Sequence, residues 1–350
     1  MTARGFRLLL FSGAAIMMAG LVVVAILDPK VAGGGWLIGF VFWAQILLGS
    51  LSLVMIHRLT AGRWGEIIAP VTEPACVALP LIVVLAVPIF IAAPTLYPWS
   101  EHAPSVRADV LSAYLNDPAF IVRSIVALVG WSLLAVFLPR VSGARGQLLA
   151  ALGLLFHAVA ISFVSIDWYL TLDAPFTSSS FGASVAISSL VAAIAWAAIW
   201  MPASEDDPAI GDVGALMLTT VLGLTYVDFM AVLVIWYGDL PRESAWFAER
   251  DHFPWSALSV IAFMLVSVIP TLALIQSGFR NVLRPVRVIG VTILCGTAIY
   301  DAYLIAPVFG PAALATSLLA VFGIGFVLVG IGSFFATGEA VAARETIDGR

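Results

Sequence analysis

Apolar residues run almost unbroken along this chain, and the polar positions that interrupt them recur at the interval of a helix long enough to cross a bilayer. A span needs about 20 apolar residues. Ten stretches meet that requirement, at 6–27, 35–57, 75–95, 119–138, 147–166, 182–201, 212–236, 254–276, 286–306 and 312–335. Within lipid every backbone N–H and C=O must find its partner inside the segment, so each stretch reads as a helix. The pattern predicts an all-α polytopic membrane protein of about ten transmembrane helices, forming a single integral membrane domain over 1–350. The first run is of span length and has no clear small-residue cleavage site, so it reads as a helix that stays rather than as a signal.

Composition sharpens this picture. Hydrophobic residues make up 62% of the 350 and charged residues only 11%, less than half the share of an ordinary soluble domain, about 25%. A soluble core is excluded, and no nucleic-acid partner is expected. The 16 basic residues set the orientation. With a cytoplasmic N-terminus, eleven lie inside: Arg4, Arg7, Arg58, Arg63, Arg140, Arg145, Arg280, Arg284, Arg287, Arg344 and Arg350. Five lie outside: Lys30, Arg107, Arg123, Arg242 and Arg250. Positive charge is retained in the cytoplasm during insertion, so both termini are expected there. The location expected is a bacterial cytoplasmic (inner) membrane. Trp36, Trp99, Trp168, Trp236, Trp246 and Trp255 fall at outer ends or in outer loops, where amphipathic rings sit at headgroup level.

The longest loops, 96–118 and 237–253, are both on the outer side, where a soluble partner would dock. An offset of 134 residues aligns Asp167-Trp168-Tyr169-Leu170 with Asp301-Ala302-Tyr303-Leu304, and Asp117 with Asp251. A shift of four helices preserves orientation, so helices 2–5 and helices 6–9 read as two four-helix bundles. The repeat-like halves cover about 35–170 and 182–306, with helices 1 and 10 peripheral. Cys76 and Cys295 lie at different depths, and the histidines at 57, 102, 157 and 252 sit on separate segments without a haem attachment motif. No disulfide, metal site or covalently bound cofactor is expected.

Chemistry then rests on a few ionisable residues, because a charge at the centre of a membrane helix costs roughly 2.5 kcal/mol or more and usually marks an ion, proton or substrate path. Asp167, Asp228 and Asp301 all fall toward the outer ends of helices 5, 7 and 9, with Arg123 at a comparable level in helix 4. One aspartate is accounted for by a structural ion pair with Arg123. The carboxylates left over are candidates to accept and release protons. Thr225 stands three residues before Asp228, and Thr297 four before Asp301, so each pair shares a helix face and offers a hydroxyl neighbour. His157 lies ten residues, about 15 Å, below Asp167 on one helix. It reads either as a neutral histidine bonded to a neighbouring helix or as a second proton carrier. Asp167, Asp228 and His157 are thus the proton-relay candidates.

Blander features complete the chain. Glu73 and Pro74 are expected to open helix 3, an acid in a first turn being favoured by the helix dipole. Gly33-Gly34-Gly35 reads as a flexible turn, and Thr177 to Ser180 as loop or capping residues before helix 6.

At two outer loops the sequence resembles a known family. Ser165-Ile166-Asp167-Trp168-Tyr169-Leu170-Thr171-Leu172-Asp173, followed by Ser178-Ser179-Ser180-Phe181-Gly182, is similar to a signature stretch of the ActF-type membrane subunit of alternative complex III. That subunit belongs to the NrfD-like (polysulfide-reductase membrane subunit) superfamily. Ile235-Trp236-Tyr237-Gly238-Asp239-Leu240-Pro241-Arg242-Glu243, with Trp246 and Arg250, resembles a second signature, and Trp64-Gly65 with Glu73 resembles its cytoplasmic loop. The chain departs from the pattern at Asp239 (Asn in the family), at Arg242 (usually an acid) and at Ala69-Pro70, where basic residues are usual.

The resemblance covers about helix 2 to helix 10. It implies ten helices in two bundles, and membership of a quinol-oxidising complex that passes electrons through iron–sulfur and haem subunits to an acceptor. It implies no redox centre in this chain. Asp167, Asp173 and the loop from Trp236 to Glu243 match the family's motifs by position, and together with the polar residues above this makes Asp173, Trp168, Arg123 and Asp301 the candidates for a quinone or proton pocket, the quinone being menaquinone or ubiquinone. The implied partners are membrane lipid, an iron–sulfur protein, a multihaem cytochrome c and a second NrfD-like subunit. A secondary transporter and a purely structural scaffold subunit are the competing readings.

Overall fold

The computed structural model describes residues 3–101, 108–173, 176–205 and 207–348. His102, Arg107 and Arg350, used above to weigh haem and orientation, lie outside the described residues, and the side chain of Arg344 is likewise not described. Secondary structure among the described residues is helical throughout, without a strand. Nine helices are long and apolar enough to cross a membrane, and a tenth span is formed if a bent pair is taken as one.

The helices are α1 (Ala3–Leu27), α2 (Pro29–Thr60), α3 (Arg63–Ala78), α4 (Leu81–Leu96), α5 (Asp117–Phe137), α6 (Gly143–Trp168), α7 (Phe181–Trp200) and α8 (Ala209–Tyr237). They are followed by a short helix α9 (Pro241–Ala248), then α10 (Trp255–Leu274), α11 (Leu283–Ile305) and α12 (Ala312–Asp348). The bent pair is α3 and α4, which meet at 48° across Leu79 and Pro80. A proline cannot donate to the helical ladder, which gives the break a chemical cause. Pro270 has a related effect in α10, where Met264–Val268 widens into a π turn.

Two bundles are evident from the packing. In the first, α2 packs on α3, α4 and α6, and α5 on α4 and α6. In the second, α7 packs on α8 and α11, and α10 on α8 and α11. α2 also meets α7 and α11, which joins the bundles, while α1 and α12 pack together along its other side. α2 is therefore the buried mast of the molecule, nearly all its central residues being enclosed. Its small residues permit this. A methyl group at Gly49 would overlap the Ser189 carbonyl of α7, and one at Gly39 would lie 2.6 Å from Ala320 Cβ of α12. Indole N–H groups tie the mast to its neighbours, Trp36 to the Leu85 carbonyl at 2.9 Å and Trp43 to the Val321 carbonyl at 2.7 Å.

Four local expectations are corrected. Gly33-Gly34-Gly35 is not a turn but the first part of α2, since Asp28 caps the helix by accepting from the Val31 N–H and Pro29 stands at its first position. Glu73 does not open a helix. α3 begins at Arg63, with Glu66 in the first turn and Glu73 in the interior. The tryptophans do not form a lipid-facing belt: Trp36, Trp99, Trp168, Trp246 and Trp255 are buried, and only Trp236 of that set is exposed. Nor do Thr225 and Thr297 serve the aspartates, because each hydroxyl bonds the carbonyl four residues back, of Val221 and Ile293.

Candidate functional site

The end of the molecule that carries Trp236 and Arg250 is called distal here, and the opposite end, with Arg58 and Arg140, proximal. All three aspartates named from the sequence lie in the distal part of their helices, but the structure gives them different company. Asp167, near the end of α6, is 1% exposed and receives two bonds from Arg123 of α5, from Nε at 2.8 Å and Nη2 at 2.9 Å. Arg123 also donates to the Tyr114 carbonyl at 3.0 Å and lies 3.7 Å above the Tyr114 ring. Tyr114 stands in the distal loop, where burial, helped by the nearby Asp167 charge, pushes its phenol well up. Next to Asp167, Trp168 is buried against Phe40 and its indole donates to Ser124 Oγ at 3.1 Å.

Asp228 and Asp301 form no ion pair among the described residues. Asp228 of α8 accepts from Ser184 Oγ of α7 at 2.5 Å. Asp301 of α11 is 2% exposed; its Oδ1 accepts from Gln45 Nε2 of α2 at 2.7 Å, and its buried Oδ2 has no partner. Gln45 bonds also to the Tyr169 hydroxyl at 3.2 Å and to Ser188 Oγ of α7 at 2.7 Å. Tyr300, one position before Asp301, lies within electrostatic reach of both Asp228 and Asp301 and beside Ser184. Asp228 and Ser184, then one turn further along α7 Ser188, Gln45, Asp301 and Tyr169, thus make one polar line through an otherwise apolar interior.

Sequence reasoning missed Gln45, Ser184 and Ser188. Gln45 is the only amide in the apolar run 36–56, a signal that could have been used, since a buried amide needs several polar partners.

The remaining candidates stand apart from this line. His157 is buried in α6 against Trp131 at 5.8 Å between ring centroids, and its Nδ1 has no partner. Asp173 accepts from Arg250 Nη2 at 3.2 Å. Arg250, 3% exposed, also donates to the Trp246 carbonyl at 3.1 Å and stacks 3.7 Å over the Trp246 ring. Burial lowers its proton affinity, and the charge of Asp173 opposes that. This pair clamps the loop after α6 to the loop that follows α9.

Beside the polar line lies a cavity of about 900 Å³ between the distal ends of α6 and α8. Ile166, Leu170, Tyr226, Met230, Ala231 and Val234 give it apolar walls, and Thr177, Ser178, Ser179, Ser180 and Glu243 give it a polar rim. None of Asp167, Trp168, Arg123, Asp173, Asp228 and Asp301 lines it directly. The connection is made by two neighbours. Ser180, on the rim, precedes Ser184 by four residues, about 6 Å along a helix, and Val227 lines the wall next to Asp228. Tyr114, which covers Arg123, lines the opposite side.

No protein-family model matches the chain, and no curated protein matches it.

Proposed function

We propose that this chain is a membrane subunit of a quinol-oxidising respiratory electron-transfer complex, which borders the quinol and carries away its protons. The observation that supports the reading is the juxtaposition on α7: Ser180 lines the distal cavity, and Ser184, one turn on, holds Asp228 at the head of the buried polar line. A cavity of about 900 Å³ with apolar walls and a hydroxyl-rich rim suits a neutral ring with an isoprenoid tail, menaquinol or ubiquinol, entering from lipid. Such a group supplies two electrons and two protons on oxidation. The rim serines and Thr177 would orient its hydroxyls, and Asp228 would accept the two protons in succession, each passed on toward Tyr300 and Asp301 before the next arrives. Electrons leave through partner subunits, an iron–sulfur protein and a multihaem cytochrome c, docked on the distal face, with a second NrfD-like subunit beside the chain in a bacterial cytoplasmic membrane.

Asp167 has a different part in this scheme. Its charge is matched by Arg123, so it fixes the cavity wall through Tyr114 and does not exchange protons. Asp228→Asn in the assembled complex is expected to lower quinol oxidation about tenfold or more, the scale of lost acid–base catalysis. Full activity with assembly intact would leave the scaffold reading.

The 48° break between α3 and α4 favours one alternative, a secondary transporter, because broken helices commonly frame transport sites. Substrate uptake by proteoliposomes of the isolated chain would support that alternative.

A further inference from the structure

The amide of Gln45 has one acceptor and two N–H donors, and three helices besides its own bring groups to it. As the structure stands, Nε2 faces Asp301 Oδ1 at 2.7 Å and the Tyr169 hydroxyl at 3.2 Å, and Oε1 receives the Ser188 hydroxyl at 2.7 Å. This arrangement suits Asp301 as a carboxylate. It leaves two groups unused: Asp301 Oδ2 has no partner, and the Tyr169 hydroxyl has only Gln45 as partner among the described residues, so its own hydrogen has no acceptor.

Half a turn about Cγ–Cδ exchanges the two ends of the amide. Oε1 then lies between Asp301 and Tyr169, and Nε2 faces Ser188. All three contacts survive with their direction reversed, on one condition: Asp301 must be the neutral acid, donating from Oδ1. The hydroxyls adapt because each both donates and accepts. Ser188 accepts from Nε2 and directs its hydrogen to the carbonyl four residues back, as helical serines do. Tyr169 gains an acceptor for its hydrogen. The neutral acid therefore satisfies one more buried donor with the amide turned than with it unturned.

We propose that Gln45 is a positioning residue that works as an amide switch, its N–H₂ facing Asp301 when that group is a carboxylate and its carbonyl facing Asp301 when it is an acid. The switch rests on the proton-relay reading. Asp301 takes a proton as Asp228 gives one up through Tyr300, so the number of protons is unchanged and no bond besides O–H is made or broken. The groups that face Asp301 are Gln45 from α2 and Tyr169 from the end of α6; Tyr300 precedes it on its own helix, and both Asp301 and Asp228 of α8 are within electrostatic reach of Tyr300. No lysine, arginine or histidine forms an ion pair with it among the described residues. One protonation event thereby resets hydrogen bonds on both bundles, at Tyr169 in the first and at Ser188 in the second.

The test is infrared spectroscopy of the full chain in lipid nanodiscs over a pH titration, without quinol. Asp301→Asn identifies the carboxylic C=O band, and heavy-isotope labelling of glutamine side chains together with Gln45→Met identifies the amide band. Both bands are expected to change at one midpoint pH. A carboxyl band that titrates while the amide band stays fixed overturns the switch, as does an Asp301 band that never titrates. If Gln45→Met does not assemble, the labelled Asp301→Asn protein still decides, because its glutamine band is expected not to change with pH. Turnover is not measured, so the switch passes or fails independently of whether the chain meets quinol.

Discussion

Replacing Arg123 by methionine removes a cation from the distal interior while keeping most of the apolar stem. The two bonds it makes to Asp167 are 2.8 and 2.9 Å long, and the exposures of the partners differ, 20% for the arginine side chain and 1% for the carboxylate. Stranding one member of a buried pair costs roughly 3–5 kcal/mol. Asp167 has no second ion-pair partner among the described residues, so Arg123→Met is expected to cost about 4 kcal/mol. Asp167→Asn is milder, because the arginine left behind is a fifth exposed and keeps the Tyr114 carbonyl and ring. About 2 kcal/mol is expected there, the scale of a lost charged hydrogen bond. With both changes made no charge is stranded, so the double variant should be more stable than Arg123→Met alone. Unfolding of the three variants in mixed micelles, read as a double-mutant cycle, measures the coupling. A double variant that costs the sum of the singles would refute the reasoning, as would an Arg123→Met protein as stable as the parent.

Three other outcomes are expected. Gly49→Val forces a side chain into the Ser189 carbonyl and the Ala193 methyl, so melting should show a loss of about 1–3 kcal/mol, whereas Gly278→Ala, with open space around it, should melt like the parent. Arg250→Ala should cost about 1.5–3 kcal/mol, because the guanidinium is 3% exposed and stacked on Trp246 while its partner Asp173, 26% exposed, can be rehydrated; limited proteolysis should also cut faster between Pro241 and Arg250. Reporter fusions after residue 350 and within 240–250 should give cytoplasmic and external signals, and the reverse result would invert the assignment of the distal end to the outside.

Helix content and the number of spans were legible in the sequence because hydrocarbon imposes one requirement on every backbone group, and that requirement shows as plain length. The site was legible only in part. Asp167, Asp228 and Asp301 stand out by charge alone, but which of them Arg123 neutralises depends on helix rotation, which a uniformly apolar helix does not encode. At the offset of 134 residues that relates Asp167 to Asp301, Arg123 corresponds to Ala257. That comparison already marks Asp301 as the carboxylate without a cation. Gln45 escaped notice because an uncharged amide weighs little in a hydropathy profile, and the hydroxyls at Thr225 and Thr297 misled because spacing places a residue on a face without saying which carbonyl claims it. The glycines at 33–35 misled for another reason: a cap at Asp28 and a proline at 29 outweigh the turn preference of three glycines.

The position of α2 has a consequence for how the protein is made. It leaves the ribosome second, yet the surfaces that enclose it come from the far end of the chain: Trp43 bonds to Val321 across 278 residues, and Thr316 Oγ1 donates to the Val31 carbonyl across 285. Until α12 is inserted, one side of α2 has only lipid against its glycines. Until α11 arrives, Gln45 lacks its carboxyl partner. Early helices must therefore wait in the membrane in a loosely associated state, and synthesis of the last helix, rather than insertion of any single span, completes the interior.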